Sequence, residues 1–307
     1  MNLFAQLFKK IRLDNFFGRA LVIALPYGWH ILFFLVPFMI VLGLSFSEGI
    51  LSSPPYTPLY TWVDESFLQI RLNFANYLTL FEDDFYFGAY IESLKISAIS
   101  TFFCLIVAYP MAYGIARASP RQRTLLLMLV ILPFWTSFLI RVYSWIGLLS
   151  NQGLLNSFLL YLGIIKQPLS LLNTHFAVIL GIVYSYLPFM IFPLYATLQK
   201  MDPQILEAAS DLGCKPVRTF FTITVPLSMR GAIAGSMLVF IPAVGEFVIP
   251  ELLGGSDTLM IGKVLWIEFF THRDWPMASA LAVALLTFLV LPIIAFQKLI
   301  IREEEVI

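Results

Sequence analysis

Residues 199–228 read QKMDPQILEAASDLGCKPVRTFFTITVPLS. Asp202-Pro203 is a helix start: a carboxylate at the cap accepts backbone N–H bonds, and proline in the first turn loses no needed donor. Ile205, Leu206, Ala209 and Leu212 recur at helical spacing behind it. Gly213 is placed to end that helix, because glycine takes the left-handed conformation past a C-terminus without penalty. A second helical stretch begins near Pro216, with Val217, Phe220, Phe221 and Ile223 as its apolar set. The spacing therefore predicts two short helices at a glycine turn, a knob whose apolar face needs a partner. Periodicity alone leaves two partners open, the lipid headgroups or the cleft of another protein.

The rest of the chain decides where this knob sits. Of its 307 residues, 59% are hydrophobic and 12% charged, and mean hydropathy is +0.85. A soluble domain carries roughly 25% charged residues, so water cannot be the main solvent. The apolar residues gather in six blocks, 20–46, 89–116, 124–148, 175–198, 229–253 and 276–299. Each meets the ~20 residues needed to cross the hydrocarbon core. The first block is too long for the ~7–15-residue apolar region of a signal peptide and reads as a retained span. Pro133, Pro188, Pro193, Pro242 and Pro250 within or beside the blocks predict kinks.

Thirteen of the nineteen Lys and Arg residues fall on one side of these spans. Positive-inside bias puts that side, both termini and 199–228 in the cytoplasm. The expected fold is an all-α, polytopic membrane protein of six transmembrane helices, read as a single domain over 1–307. Net charge is zero, and nothing global points to nucleic acid. Two cysteines, Cys104 and Cys214, form no disulfide framework, and no His/Cys cluster suggests a metal. No G-x-x-x-x-G-K-[ST] phosphate loop is present. The chain is therefore not expected to hydrolyse ATP by itself.

The order Glu207-Ala208-Ala209, three residues, Gly213, nine residues, Ile223, one residue, Val225-Pro226 resembles the EAA loop of ABC-importer permeases, with Val225 where the family consensus has Leu. The resemblance implies type I permease architecture and a cleft on a separate ATPase as the knob's partner. Glu207 would pair with a basic residue there, Ala208 and Ala209 would keep the helix thin, and Gly213 would set the turn. Asp211 and Pro226 complete the implied docking set. ATP and Mg would be held by two ATPase subunits, with no cofactor in this chain.

Ionisable residues within spans are the next clue, since each costs ~2.5–3.5 kcal/mol at a helix centre. Glu246 and Glu251 lie in the fifth block, Arg141 in the third, and Glu92 and Lys95 open the second. Two readings stay open. Either Glu246–Arg141 and Glu92–Lys95 are internal ion pairs, or Glu246 lines a passage for a cation. In the second case, Trp135, Tyr143, Tyr184 and Tyr186 would add cation–π contacts. The segments LPFWTSFLIRVYSW, YLPFMIFPLY, EAASDLG and GEFVIPELLGG look like the spermidine/putrescine branch of these permeases and are particularly similar to its putrescine-uptake members. That likeness implies a polyamine cargo, putrescine foremost, delivered by a periplasmic substrate-binding protein. It also implies a homologous second permease completing the pore in the bacterial inner membrane. From the intramembrane charges and aromatics, Glu246, Trp135, Tyr143, Arg141 and Glu251 are the expected pathway residues. The rival readings are an ABC-importer permease for another small solute, since relatives carrying sulfate or iron share the same loop, and an ion-coupled secondary transporter, which is expected to show an inverted repeat where none is visible.

Overall fold

The computed structural model describes residues 16–63, 67–256 and 258–304. Contacts divide it into two compact bodies, one of residues up to 79 with 272–284, the other of 80–271 with the residues from 285 onward.

In the first body, α1 (Phe16–His30) runs through a π turn (Ile31–Leu35) into α2 (Val36–Leu44). Val22–Leu44 is long and apolar enough to cross a membrane, and none of its residues is buried within the chain. The π turn has a local cause. Pro37 lacks an N–H and its ring crowds the carbonyl four residues back, so the preceding turn widens and the Val36 N–H bonds the Ile31 carbonyl instead. Ser45 closes the helix, bonding the Leu42 carbonyl and the Tyr77 hydroxyl, each at 2.7 Å. Beyond it, β1 (Tyr60–Val63) pairs antiparallel with β2 (Phe67–Ile70), Tyr60 opposite Ile70. This hairpin departs from the all-α expectation. Its cause lies in the β-branched and aromatic run Tyr-Thr-Trp-Val.

Helix α3 (Ala75–Glu82) leads to the second body, built on α4 (Asp84–Arg117), α8 (His175–Gln199) and α11 (Val225–Val244). The Asp83 carboxylate caps α4 by accepting from the Phe85 N–H at 2.9 Å. Between α4 and α8 come α5 (Pro120–Ile131), a 3-10 turn (Leu132–Trp135), α6 (Phe138–Leu149) and α7 (Leu154–Tyr161). Next follow α9 (Pro203–Asp211), α10 (Pro216–Thr219) and a π turn (Phe220–Thr224) that leads into α11. The chain closes with α12 (Val248–Leu253), α13 (Ile261–Trp266), a π turn (Ile267–His272) and α14 (Trp275–Glu304).

The core is apolar and finely fitted. Cys104, Ala108 and Ala112 of α4 meet Met190, Ile191 and Leu194 of α8, with Val239 of α11. Glycines let α11 close on α8: a Cβ on Gly235 would lie 2.8 Å from Met190 Sδ, and one on Gly231 would lie 2.7 Å from the Pro193 carbonyl. Small residues at such crossings bring backbones together where lipid offers no hydrophobic drive.

Among the described residues, four helical stretches are long and apolar enough to span a membrane, five if a bent pair counts as one. Two expected spans change shape. The block 124–148 is broken: Pro120–Trp135 and Phe138–Tyr161 meet at 88°. Pro133 and the extended Thr136 interrupt the helical bonding there. The block 229–253 is displaced, because the helix already starts at Pro216 and stops at Val244. The separate α12 begins only after Gly245–Phe247. The apolar part of α14 described, Trp275–Val290, is shorter than a full crossing.

Candidate functional site

The knob begins at Asp202, whose carboxylate accepts from the Gln204 N–H at 3.0 Å, with Pro203 in the first turn of α9. At the other end, the Gly213 N–H bonds the Ser210 carbonyl at 2.8 Å and the Cys214 N–H bonds the Ala209 carbonyl at 3.0 Å. This pair of bonds is a Schellman closure, and it needs a left-handed residue. Gly213 supplies it at φ +75°, with open space where a Cβ would stand.

The second helix of the knob is not a separate piece. From Pro216 the chain runs without a stop through the π turn into α11, forming one 29-residue helix, Pro216–Val244. Pro226 explains the widened turn as Pro37 does in the first body, and here the Val225 N–H bonds the Phe220 carbonyl. Ala209 is buried, whereas Glu207, Ala208, Asp211 and Pro226 are exposed. Leu212 is 89% exposed and Val217 71%. Of the apolar set expected on α9, Ala209 packs inward, Leu206 is half-buried, and Ile205 and Leu212 face out.

The intramembrane charges take the partner the sequence named for Glu92 and partners it did not name for Glu246 and Arg141. Glu246 is buried, and both of its carboxylate oxygens accept hydrogen bonds. Tyr186 donates its hydroxyl to Oε2 at 2.5 Å, while the N–H groups of Val248 and Ile249 donate to Oε1 at 3.1 and 3.4 Å. The carboxylate thus caps α12 where the fifth span breaks. The Gly245 and Glu246 carbonyls lie against Gly262 of α13, so close that a Cβ there would clash with both.

No Glu246–Arg141 ion pair forms. Arg141 folds back along its own chain instead, donating to the Pro133 and Thr136 carbonyls, the latter at 3.0 Å. Its guanidinium lies over Phe134 at 4.9 Å and Phe138 at 5.8 Å. A guanidinium can serve two carbonyls and stack on rings at once, so Arg141 closes the 88° break. It also lines a cavity of about 130 Å³ with Met111, Pro133, Phe134, Tyr184 and Pro188.

Glu92 does meet Lys95, at 3.5 Å, and also His175 Nε2, at 3.2 Å. Glu251 meets Lys263 at 3.0 Å. Trp135 and Tyr143 are exposed. Two features escaped sequence reading. Glu268 is a buried acid that accepts from the Tyr86 hydroxyl at 3.0 Å. Phe247, Trp266 and Phe270 form a ladder of rings, Phe247 on Trp266 at 4.4 Å and 13° and Trp266 on Phe270 at 4.1 Å. The spacing of Trp266 and Phe270, one helical turn apart, was the available signal for that ladder.

Several membrane-length apolar helices and an exposed helix–glycine–helix knob continuous with one of them define a helical membrane protein with a docking element outside the apolar layer. Comparison makes the class specific. Residues 96–303 match the family described as binding-protein-dependent transport system inner membrane component, and the chain belongs to that family. It is 39% identical over 296 residues to a spermidine/putrescine transport system permease protein of Haemophilus influenzae, covering 95% of this chain and 98% of that one. It is 40% identical over 271 residues to the Escherichia coli protein of the same description, covering 88% and 94%. Among solved structures, a bacterial ABC transporter involved in the import of the acidic polysaccharide alginate superposes with a TM-score of 0.65. It is 18% identical and covers 95% of this chain and 99% of that one, a likeness of fold.

Proposed function

We propose that the chain is one permease half of an ATP-driven importer that carries a polyamine from the periplasm to the cytoplasm. The observation that carries the cargo class is near-full-length identity of about two residues in five to permeases described for spermidine and putrescine. Putrescine is the simplest member of that class and the first to assay. In this reading both bodies serve one permease domain that crosses the inner membrane six times, with both termini in the cytoplasm. A homologous second permease completes the passage, and a periplasmic binding protein delivers the amine. An alginate transporter solved with its periplasmic protein bound has the same fold, which supports that arrangement.

Two cytoplasmic ATPase subunits bind ATP and Mg and grip the knobs of the two permeases. The exposed Leu212 and Val217 beside the exposed Glu207 support this role: apolar contacts for a cleft, with a carboxylate on the rim. Ala208 offers no bulk, and Ala209, Asp211, Gly213 and Pro226 hold the shape. Closure of the ATPases then moves the permeases as rigid bodies and alternates access to the passage. Trp135 and Tyr143 line that passage, while Glu246 and Arg141 hold the two helix breaks in shape.

Uptake of labelled putrescine into vesicles is the test. It should be sensitive to vanadate, require the co-expressed ATPase, and be competed by spermidine but not by sulfate or molybdate. Competition by the oxyanions and not by the amine would reject the cargo. Glu207→Lys should abolish uptake with the protein still in the membrane, and normal coupling in that variant would reject the docking role.

A further inference from the structure

Four acids of the second body differ in what their carboxylates have left to offer. Glu246 is buried and takes three donors, Glu268 is buried against Tyr86, and Glu92 meets Lys95 through one oxygen while the other, near His175, is buried without a hydrogen bond and so closed to solvent. Glu251 on α12 is different. Its side chain is 48% exposed, and its ion-pair partner is the ammonium of Lys263 on α13, 3.0 Å away and itself only 20% exposed.

The surroundings of this pair suit more than a lysine. Phe247 lies one turn before Glu251, whose N–H bonds the Phe247 carbonyl at 3.0 Å. Trp266 lies one turn after Lys263 on α13. Residues three apart share a helix face, so Trp266 lies on the Lys263 side of α13, with Phe247 stacked on it and Phe270 extending the ladder. Trp266 and Phe270 are 43% and 55% exposed. A carboxylate next to a run of aromatic faces is the chemistry that receives an ammonium on an alkyl chain. Lys263 is itself such a group: a primary ammonium at the end of four methylenes.

We propose that Glu251 is an exchange site for the substrate's terminal ammonium, occupied at rest by the Lys263 ammonium as a tethered stand-in. An incoming alkyl diammonium displaces Lys263 from Glu251 and lays its methylene chain along Trp266 and Phe270. The proposal rests on the amine cargo read above. It assigns to this pair a competition that a purely structural ion pair lacks.

The two roles move the Michaelis constant in different patterns. In proteoliposomes holding the complete importer, with labelled putrescine as probe, Lys263→Met removes the competitor and lowers KM by about two- to fivefold, the size a partly exposed ion pair carries. Glu251→Gln raises KM by a similar factor, and the double variant behaves as Glu251→Gln alone. Trp266→Ala also raises KM, and Lys263→Arg, which keeps the pair, leaves it near the starting value. Co-purification with the ATPase subunits reports assembly. KM shifts in the same direction for Lys263→Met and Glu251→Gln would overturn the exchange, as would rescue in the double variant. Failure of Lys263→Met to assemble would do the same by making the pair a structural clamp. A wild-type importer that takes up no amine would instead overturn the cargo reading, and the exchange with it.

Discussion

Gly213 is the position at which the docking reading is most sharply exposed to experiment. Its φ of +75° lies in the left-handed region, and nothing stands within 4 Å of where a Cβ would be built. Substitution therefore acts through the backbone alone. A residue with a Cβ costs about 1–2 kcal/mol in this conformation, so Gly213→Ala shifts the turn away from the docked shape by a factor of about 5 to 30. A β-branched side chain adds crowding, making Gly213→Val worse, while Gly213→Asn tolerates the conformation and should stay within about threefold of the wild type. The assay is binding of the purified ATPase subunit to the permease in nanodiscs, alongside ATPase activity in the reconstituted importer. Affinity should fall in the order Gly, Asn, Ala, Val. Equal affinity for all four would refute the claim that a left-handed turn holds the knob in its docking shape.

Three further outcomes follow from the packing. Glu246→Ala strips the acceptor from the Val248 and Ile249 amides, costing about 1–3 kcal/mol, and should lower the melting temperature of the purified complex with putrescine KM unchanged. Glu246→Gln keeps a carbonyl there and should melt nearer the wild type, whereas a raised KM with unchanged melting would return this carboxylate to the cargo. Arg141→Lys replaces a fork that serves two carbonyls and two rings by a point charge. It should cost about 1–2 kcal/mol, and melting equal to the wild type would show that the bend stands without it. Gly235→Ala forces a Cβ against Met190 and should destabilise by about 1–3 kcal/mol, with unaltered melting contradicting the close approach of α8 and α11.

What the sequence disclosed and what it withheld divide along the range of the interaction concerned. Asp202-Pro203 and Gly213 act on neighbours within one turn, so the start and end of α9 could be read directly from them. Hydropathy located α8 to within a residue at each end and α4 to within five, because lipid-length helices leave long apolar runs. The partners of Glu246 were out of reach: Tyr186 is sixty residues away, and periodicity names a face without naming its neighbour. For the same reason an Arg141–Glu246 pair was plausible on charge alone. Nothing in the order of residues said that Arg141 would turn back onto its own chain. Pro133 announced a kink, but its size depends on the extended Thr136 and on that arginine. The strand pair Tyr60–Val63 and Phe67–Ile70 is only four residues a side, too short for alternation to stand out beside the long apolar blocks.

The continuity of Pro216–Val244 has a mechanical consequence. At 1.5 Å per residue this helix is a rod about 43 Å long. One end is the knob proposed above to dock the ATPase, and the other is the break that Glu246 caps. A tilt of about 10° at the tip would sweep the far end through roughly 7 Å if the rod were stiff. In the importer proposed above, the widened turn at Phe220–Thr224 would lie between the docking tip and the membrane-length part of the lever, where any bending would subtract from the displacement delivered to the far end.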